Sequence, residues 1–381
     1  MRATPFRTIA LALLLALPAA VGAASWDRAN ADTRRFIHQT MQAQRIPGLQ
    51  IAVVKDGRLL LSESLGMANV ENRIPATRTT LFPLNSATKS FTGVAIMQLV
   101  EAGKVELDAP VSRYLADLPA AWRAVRVREL LAHTSGLPDI LDADGLVGGG
   151  SEQDAWDAIR TRPLEAPPGQ RFTYNQTNYL LLARIITAQA QMPYATYMRT
   201  QQFALAKMPR STFGDSYDLI PGSATIYSWL PRSTDAKGAT PRLSHWFYDM
   251  TPGLWAGGGM LTTADDVAQW MIALADGRLL GEDGKRRMWS AETLEDGTAG
   301  AWGAGWPVLA TTPERQVAGM GGARSAFIVY PERNLAIIVL TNLVGSNPQN
   351  FIPQIAAFYA PPAAAPTVTR AARPSPAGSP R

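Results

Sequence analysis

Leu49-Gln-Ile-Ala-Val-Val-Lys-Asp56-Gly57-Arg-Leu-Leu-Leu-Ser-Glu-Ser64 reads as a β-hairpin. Two runs rich in β-formers meet at an Asp-Gly dipeptide, which suits a type I′ turn because both central residues need positive φ. A second β-rich block lies near the other end, at 302–308, 326–330 and 335–340, and Pro331-Glu-Arg-Asn334 joins its last two runs as a turn. Between the blocks the apolar spacing is helical at 90–102, 127–132, 179–190 and 264–274. A further helical stretch, 27–45, precedes the hairpin and places Phe36, Ile37, Thr40 and Met41 on one side. The economical arrangement is an α/β (α+β) fold: one antiparallel sheet from both chain ends, with a mostly helical region inserted between its halves. The stretch 221–255 has little periodicity but carries Tyr227, Trp229, Trp246, Phe247, Tyr248 and Trp255. It reads equally as the rim of a substrate pocket or as a surface insertion packed on its own aromatics.

Charge and composition narrow the function. The chain has 381 residues, 36 basic and 31 acidic, with a pI near 9.5. Residues 1–24 resemble a secretory signal peptide: Arg2 and Arg7, an apolar run at 9–21, then Gly22-Ala-Ala24 as a cleavage site. That run falls short of the roughly 20 apolar residues that span a bilayer. The expected product is periplasmic or secreted, with no stable membrane anchor after cleavage. Residues 361–381 are rich in Pro, Ala and Ser and read as a disordered tail, leaving 25–360 as the folded domain. Five of the 36 basic residues lie in these two ends (Arg2, Arg7, Arg370, Arg373, Arg381), and the other 31 balance the 31 acids. A neutral domain gives no support for a nucleic-acid partner. The absence of cysteine excludes a disulfide scaffold, a thiol nucleophile and a cysteine-ligated metal.

The candidate nucleophile lies in Leu84-Asn-Ser86-Ala-Thr-Lys89-Ser-Phe-Thr-Gly93. A lone S-x-x-K is a weak signal, but the helix that follows is apolar nearly all round (Phe91, Val94, Ala95, Ile96, Met97, Leu99, Val100), as buried helices are. Lys89 is then a cation in the first turn of a buried helix, where the dipole disfavours it. Desolvation and dipole both lower a lysine pKa, as a general base requires. Ser86, three residues earlier, shares its face, and the Ser86 N–H at the helix start suits a developing oxyanion. The bland alternative makes Ser86 an N-cap and Lys89 a snorkelling surface residue.

Leu81-Phe-Pro-Leu-Asn-Ser-Ala-Thr-Lys-Ser-Phe-Thr-Gly93 resembles the first motif of the serine β-lactamase and penicillin-binding-protein superfamily, in its class C-like branch with family VIII carboxylesterases and D-aminopeptidases. Further segments agree in chain order: Ile46-Pro-Gly-Leu49, Leu107-Asp-Ala-Pro-Val-Ser-Arg-Tyr-Leu115, Leu130-Leu-Ala-His-Thr-Ser-Gly-Leu-Pro138, Gly257-Gly-Gly-Met-Leu-Thr-Thr-Ala-Asp-Asp266 and Ala336-Ile-Ile-Val-Leu-Thr-Asn342. The resemblance implies that Tyr174, in Phe172-Thr-Tyr174-Asn-Gln176-Thr-Asn178, shares acid/base work with Lys89. Gln176 stands where the family has Asn, with Asn175 and Asn178 as nearby substitutes. The third motif, ordinarily Lys- or His-x-Gly on a strand, maps to Gly319-Met320-Gly321-Gly322-Ala323. It implies Ala323 N–H as the second oxyanion donor beside Ser86, and Met320, Gly321 and Gly322 against the substrate. Met320 cannot supply the motif's charge, and Arg324 or Arg315 would have to replace it.

Other chemistries find less support. The three histidines, His38, His133 and His245, sit in no G-x-S-x-G context and have no H-x-H or H-E-x-x-H spacing. His133 reads as structural, and Asp265-Asp266 as a helix N-terminus rather than a metal site. The expectation is a serine hydrolase without cofactor or metal, acting through an acyl-enzyme on a small ester, amide or peptide, of carboxylesterase or D-peptidase type. The alternatives are a β-lactamase proper and a catalytically impaired penicillin-binding-like protein that holds cell-wall peptide.

Overall fold

The computed structural model describes residues 19–232 and 235–360, with side chains from residue 26 onward. The expected signal peptide and the 361–381 tail lie outside that range, except that the backbone of 19–24 belongs to the first helix. Among the described residues no helix is long and apolar enough to cross a membrane.

The hairpin forms as read. β1 (Gly48–Lys55) pairs antiparallel with β2 (Arg58–Asn69), and Lys55 faces Arg58 across the turn. Asp56 and Gly57 hold φ of 50° and 71°, as a type I′ turn demands. The sheet continues through β3 (Ile74–Pro75), β4 (Val308–Ala310), β5 (Gln316–Gly321), β6 (Ser325–Tyr330) and β7 (Leu335–Thr341). Strand order is β4-β5-β6-β7-β1-β2-β3, every pair antiparallel, so β1 lies against β7 and the two chain ends share one sheet.

Both faces are covered, which explains why the central strands are apolar without interruption. Ile51, Val53, Ile328, Ile337 and Val339 pack with Ile37 of α1 (Ala19–Gln44) and with Ile352 and Ile355 of α5 (Ile352–Phe358). The alternate residues Ala52, Val54, Phe327, Ile338 and Leu340 belong to the larger core on the other face. That core includes α2 (Thr88–Glu101), α3 (Thr177–Ala190) and α4 (Ala264–Ala275) from the inserted region. Each Ile, Leu, Val or Phe buried here contributes roughly 1.5–3 kcal/mol of transfer free energy.

The stretch 302–308 departs from its sequence reading, since only Val308 enters a strand. Pro307 and the positive-φ Gly305 interrupt it. The segment instead lies on α2, whose Ser90 Oγ donates to the Gly305 carbonyl, while Trp306 stacks on Trp270 of α4. The 221–255 stretch packs in part on its own aromatics, with His245 set between Tyr227 and Phe247. Tyr227–Ser228 and Ser244–His245 form a small sheet with Leu343–Val344, Tyr248 lies against the Arg324 guanidinium, and Met250 and Asn85 both border Gly258.

Candidate active site

Ser86 sits in a 3₁₀ turn (Asn85–Ala87) immediately before α2, at the edge where β5 ends. Asn85 adopts a positive φ of 48°, and α2 begins without a side-chain N-cap, so Ser86 is not capping the helix. The ledge above the turn is Gly321, where a Cβ would stand 1.9 Å from the Leu84 carbonyl oxygen and 2.7 Å from the Ser86 nitrogen. Only glycine lets the strand approach this closely.

Lys89 is fully buried in the first turn of α2. Its Nζ donates to Gln176 Oε1 at 2.9 Å and to the Gly257 carbonyl at 2.6 Å, and lies 4.8 Å from the centre of the Tyr174 ring. Burial holds the ammonium below the ordinary lysine value, against the opposing pull of Tyr174 and Asp139. The direct Ser86–Lys89 contact expected from the i, i+3 spacing is not among the hydrogen bonds of the site. Instead the Tyr174 hydroxyl donates to Ser86 Oγ at 2.8 Å, so Tyr174 stands between nucleophile and lysine.

Gln176 reaches Lys89 despite its extra methylene, and Asn175 and Asn178 are not substitutes for it. Both lock the 133–138 turn to the 174–178 loop. Asn175 Nδ2 donates to the Leu137 carbonyl, and Asn178 Oδ1 accepts from Ser135 Oγ at 2.6 Å. His133 joins the same lock. Its Nδ1 accepts from the Asn175 N–H at 3.2 Å, and its ring packs on Tyr174 at 4.4 Å. Burial, then the neighbouring Lys89, hold the imidazole well below its ordinary pKa, so it is neutral and structural, as read.

Asp139, one residue past the Leu130-to-Pro138 segment, was missed by sequence reasoning. Its Oδ1 accepts from the Gln176 N–H at 2.9 Å, and burial raises its pKa. The Gly257 carbonyl, offered by a short helix (Trp255–Gly258), was missed as well, because a main-chain acceptor leaves no residue-type signal.

The reading of Met320 as a substrate contact is corrected. Side chains alternate along β5: Gly321 faces Leu84 and Ser86, so Met320 points to the opposite face, where it packs with the α1 and α5 layer. On the site-side face of β5, Gly321 borders the nucleophile turn and the space beside Gly319 is filled by the Phe327 ring, so neither position presents a cation. Arg315 is also removed from the site. It pairs with Glu332 at 3.3 Å, six residues along β5 from Gly321 and hence about 20 Å away. Gly322 and Ala323 form the exposed turn between β5 and β6, both with positive φ. Neither the Ser86 N–H nor the Ala323 N–H has an acceptor among the described residues. Asp265 and Asp266 open α4, where Thr263 Oγ1 accepts from the Asp266 N–H as N-cap. No group of three His, Asp or Glu residues among those described could hold a metal ion.

Comparisons with known proteins place the fold in a family. A family model described as Beta-lactamase matches residues 33–359. Protein flp of Staphylococcus aureus (strain N315) is 26% identical over 324 residues, covering 81% of this chain and 62% of that protein, so this chain spans less than two thirds of that relative. The octameric penicillin-binding protein homologue from Pyrococcus abyssi superposes with a TM-score of 0.70 at 28% identity, over 86% of this chain and 76% of that one. EstCE1, a hydrolase with promiscuous acyltransferase activity, superposes with a TM-score of 0.70 at 22% identity over 89% of this chain and 99% of its own, a likeness of fold alone. The matched span takes in Ser86, Lys89, Tyr174 and Ala323, and the chain belongs to the Beta-lactamase family.

Proposed function

We propose that the protein is a serine hydrolase that forms an acyl-enzyme at Ser86 and acts on a small neutral ester or amide. The contact between the Tyr174 hydroxyl and Ser86 Oγ, with buried Lys89 directly behind the ring, carries this reading. Ser86 Oγ attacks the substrate carbonyl carbon after the Tyr174 hydroxyl rotates from donor to acceptor, so that it takes the Ser86 proton and hands its own to neutral Lys89. The lowered Lys89 pKa favours that neutral form, and Gln176 and Gly257 fix Nζ in place. The Ser86 and Ala323 N–H groups donate to the oxyanion. Collapse of the tetrahedral intermediate breaks the bond to the alcohol or amine, which takes a proton back through Tyr174. Water then attacks the acyl-enzyme by the reverse relay.

The β5 edge supports a neutral substrate, because Gly319 and Gly321 offer a carboxylate no side-chain partner. That weighs against a β-lactamase proper. Export through residues 1–24 belongs to the same proposal, and N-terminal sequencing of the secreted or periplasmic protein tests it. For the reaction, the mature protein and Ser86→Ala are treated with a fluorophosphonate probe and a fluorescent penicillin. Short-chain p-nitrophenyl esters, nitrocefin and D-alanyl peptides run in parallel. Ester or amide turnover and probe labelling, both lost in Ser86→Ala, are expected. Labelling that persists in Ser86→Ala defeats the mechanism, and a wild type without labelling or turnover indicates a binding protein.

A further inference from the structure

Arg324 follows Ala323 in the turn that closes β5 onto β6, and its side chain folds back behind that turn. It is 2% exposed. The guanidinium carbon lies 3.0 Å from where a Gly322 Cβ would stand. Nη1 reaches the Gly322 carbonyl only at 3.5 Å, and Nε has no partner. The guanidinium sits 5.2 Å from the centre of the Tyr248 ring. Burial lowers its pKa to about 10, so the group is still a cation at neutral pH, its neighbour Tyr248 is an uncharged phenol, and no carboxylate among the described residues pairs with it.

Buried charges are ordinarily paired, because an unpaired one costs several kcal/mol. The guanidinium packs against the turn that carries the Ala323 N–H. Asn85 Oδ1, from the residue before the nucleophile, stands 2.6 Å from the same Gly322 Cβ point and also lacks a partner.

We propose that Arg324 is an electrostatic positioning residue for acyl transfer, a fixed cation behind the oxyanion turn whose counter-charge is the oxyanion formed on attack by Ser86. The inference rests on the acyl-enzyme reading above. Arg324 does not touch the substrate; it acts through the Gly322–Ala323 turn. A guanidinium keeps its proton, so the charge is present throughout the cycle and is balanced only when the carbonyl oxygen turns negative. Its low-dielectric setting lets the field reach the oxyanion with little screening, and the effect expected is about 10- to 100-fold in rate.

R324M keeps a chain that packs on Tyr248 and deletes the charge, whereas R324K keeps the charge. kcat and KM are measured for p-nitrophenyl acetate and for p-nitrophenyl hydrogen succinate, which carries a carboxylate, together with melting temperatures. R324M is expected to lose about 10- to 100-fold in kcat on both esters with KM within about 3-fold, and R324K to stay within about 5-fold of the parent. R324M melts no lower than the parent, since it removes an unpaired buried charge. R324Q supplies the same readout should R324M not fold. A parent-like kcat in R324M overturns the proposal, as do equal losses in R324M and R324K or a loss confined to KM of the succinate ester. A parent without Ser86-dependent turnover removes the acyl-enzyme reading and this inference together, whereas an active parent with unchanged R324M kcat removes this inference alone.

Discussion

Replacing Tyr174 with phenylalanine deletes one oxygen, the atom that donates to Ser86 Oγ at 2.8 Å. The ring stays. Its packing on His133 at 4.4 Å and beside Trp302 at 5.8 Å is available to phenylalanine as well. Tyr174 is 39% exposed, so the lost hydrogen bond costs the fold about 1 kcal/mol or less. The kinetic loss is far larger. A positioned proton carrier contributes about 100- to 10,000-fold, which is about 3–5 kcal/mol of barrier. The assay is stopped-flow release of p-nitrophenol from a short-chain ester, which separates acylation (the burst) from deacylation (the steady phase). Both phases slow in Tyr174→Phe, because the same hydroxyl serves attack by Ser86 and attack by water, while KM and the urea midpoint hardly move. A variant whose two phases stay within about 5-fold of the parent would refute the relay and leave Tyr174 as a wall of the pocket. Slowing matched by a large fall in the urea midpoint would refute the claim that the oxygen acts chemically.

Gln176→Asn withdraws the amide by one methylene from a Lys89 Nζ now 2.9 Å away, and kcat should fall about 10- to 100-fold; an unchanged kcat means that Gly257 alone holds the lysine. Gly321→Ala brings a Cβ to 1.9 Å from the Leu84 oxygen, so urea unfolding should show a loss of about 3 kcal/mol, with Ser86 labelling impaired. Gly57→Ala, with φ of 71° and nothing within 4 Å, should cost only about 1 kcal/mol, and equal losses at the two sites would contradict the close-approach argument. His133 has a folded pKa below its unfolded value near 6.5, so the unfolded chain takes up the proton first. Its contribution is complete above pH 6.5 and is lost as pH falls toward the folded pKa, at up to about 1.4 kcal/mol per pH unit. Urea titrations of parent and His133→Gln between pH 7 and 4.5 should therefore differ in slope, and parallel slopes would contradict the assignment.

The parts legible in the sequence were those governed by neighbours along the chain. The Asp56-Gly57 turn was readable because a two-residue hairpin needs two positive-φ residues in succession. Burial of α2 was readable because its apolar residues run right round the helix. The reading failed where a partner comes from far away. Along 302–308, the pull of Ser90 and Trp270 outweighed β propensity. Asp139 became part of the site only when its turn met the Gln176 N–H. Met320 failed for a register reason: a single-position shift along a strand exchanges pocket for outer layer, and pairing with β6 sets that register.

By itself the sequence determined the hairpin, the two-ended sheet with its helical insertion, and the pairing of Ser86 with Lys89 at the head of a buried helix, because turn chemistry, apolar period and i, i+3 spacing are local properties of the chain; Tyr174 entered only through the family resemblance. The tertiary structure alone decided that Tyr174 rather than Lys89 touches Ser86, and that Lys89 is held by Gln176 and a Gly257 carbonyl. It also decided that β5 shows glycine to the site and that Arg324 lies buried without a counter-charge. Each of these depends on which distant backbone segments meet and which strand face turns inward, and only long-range packing fixes that.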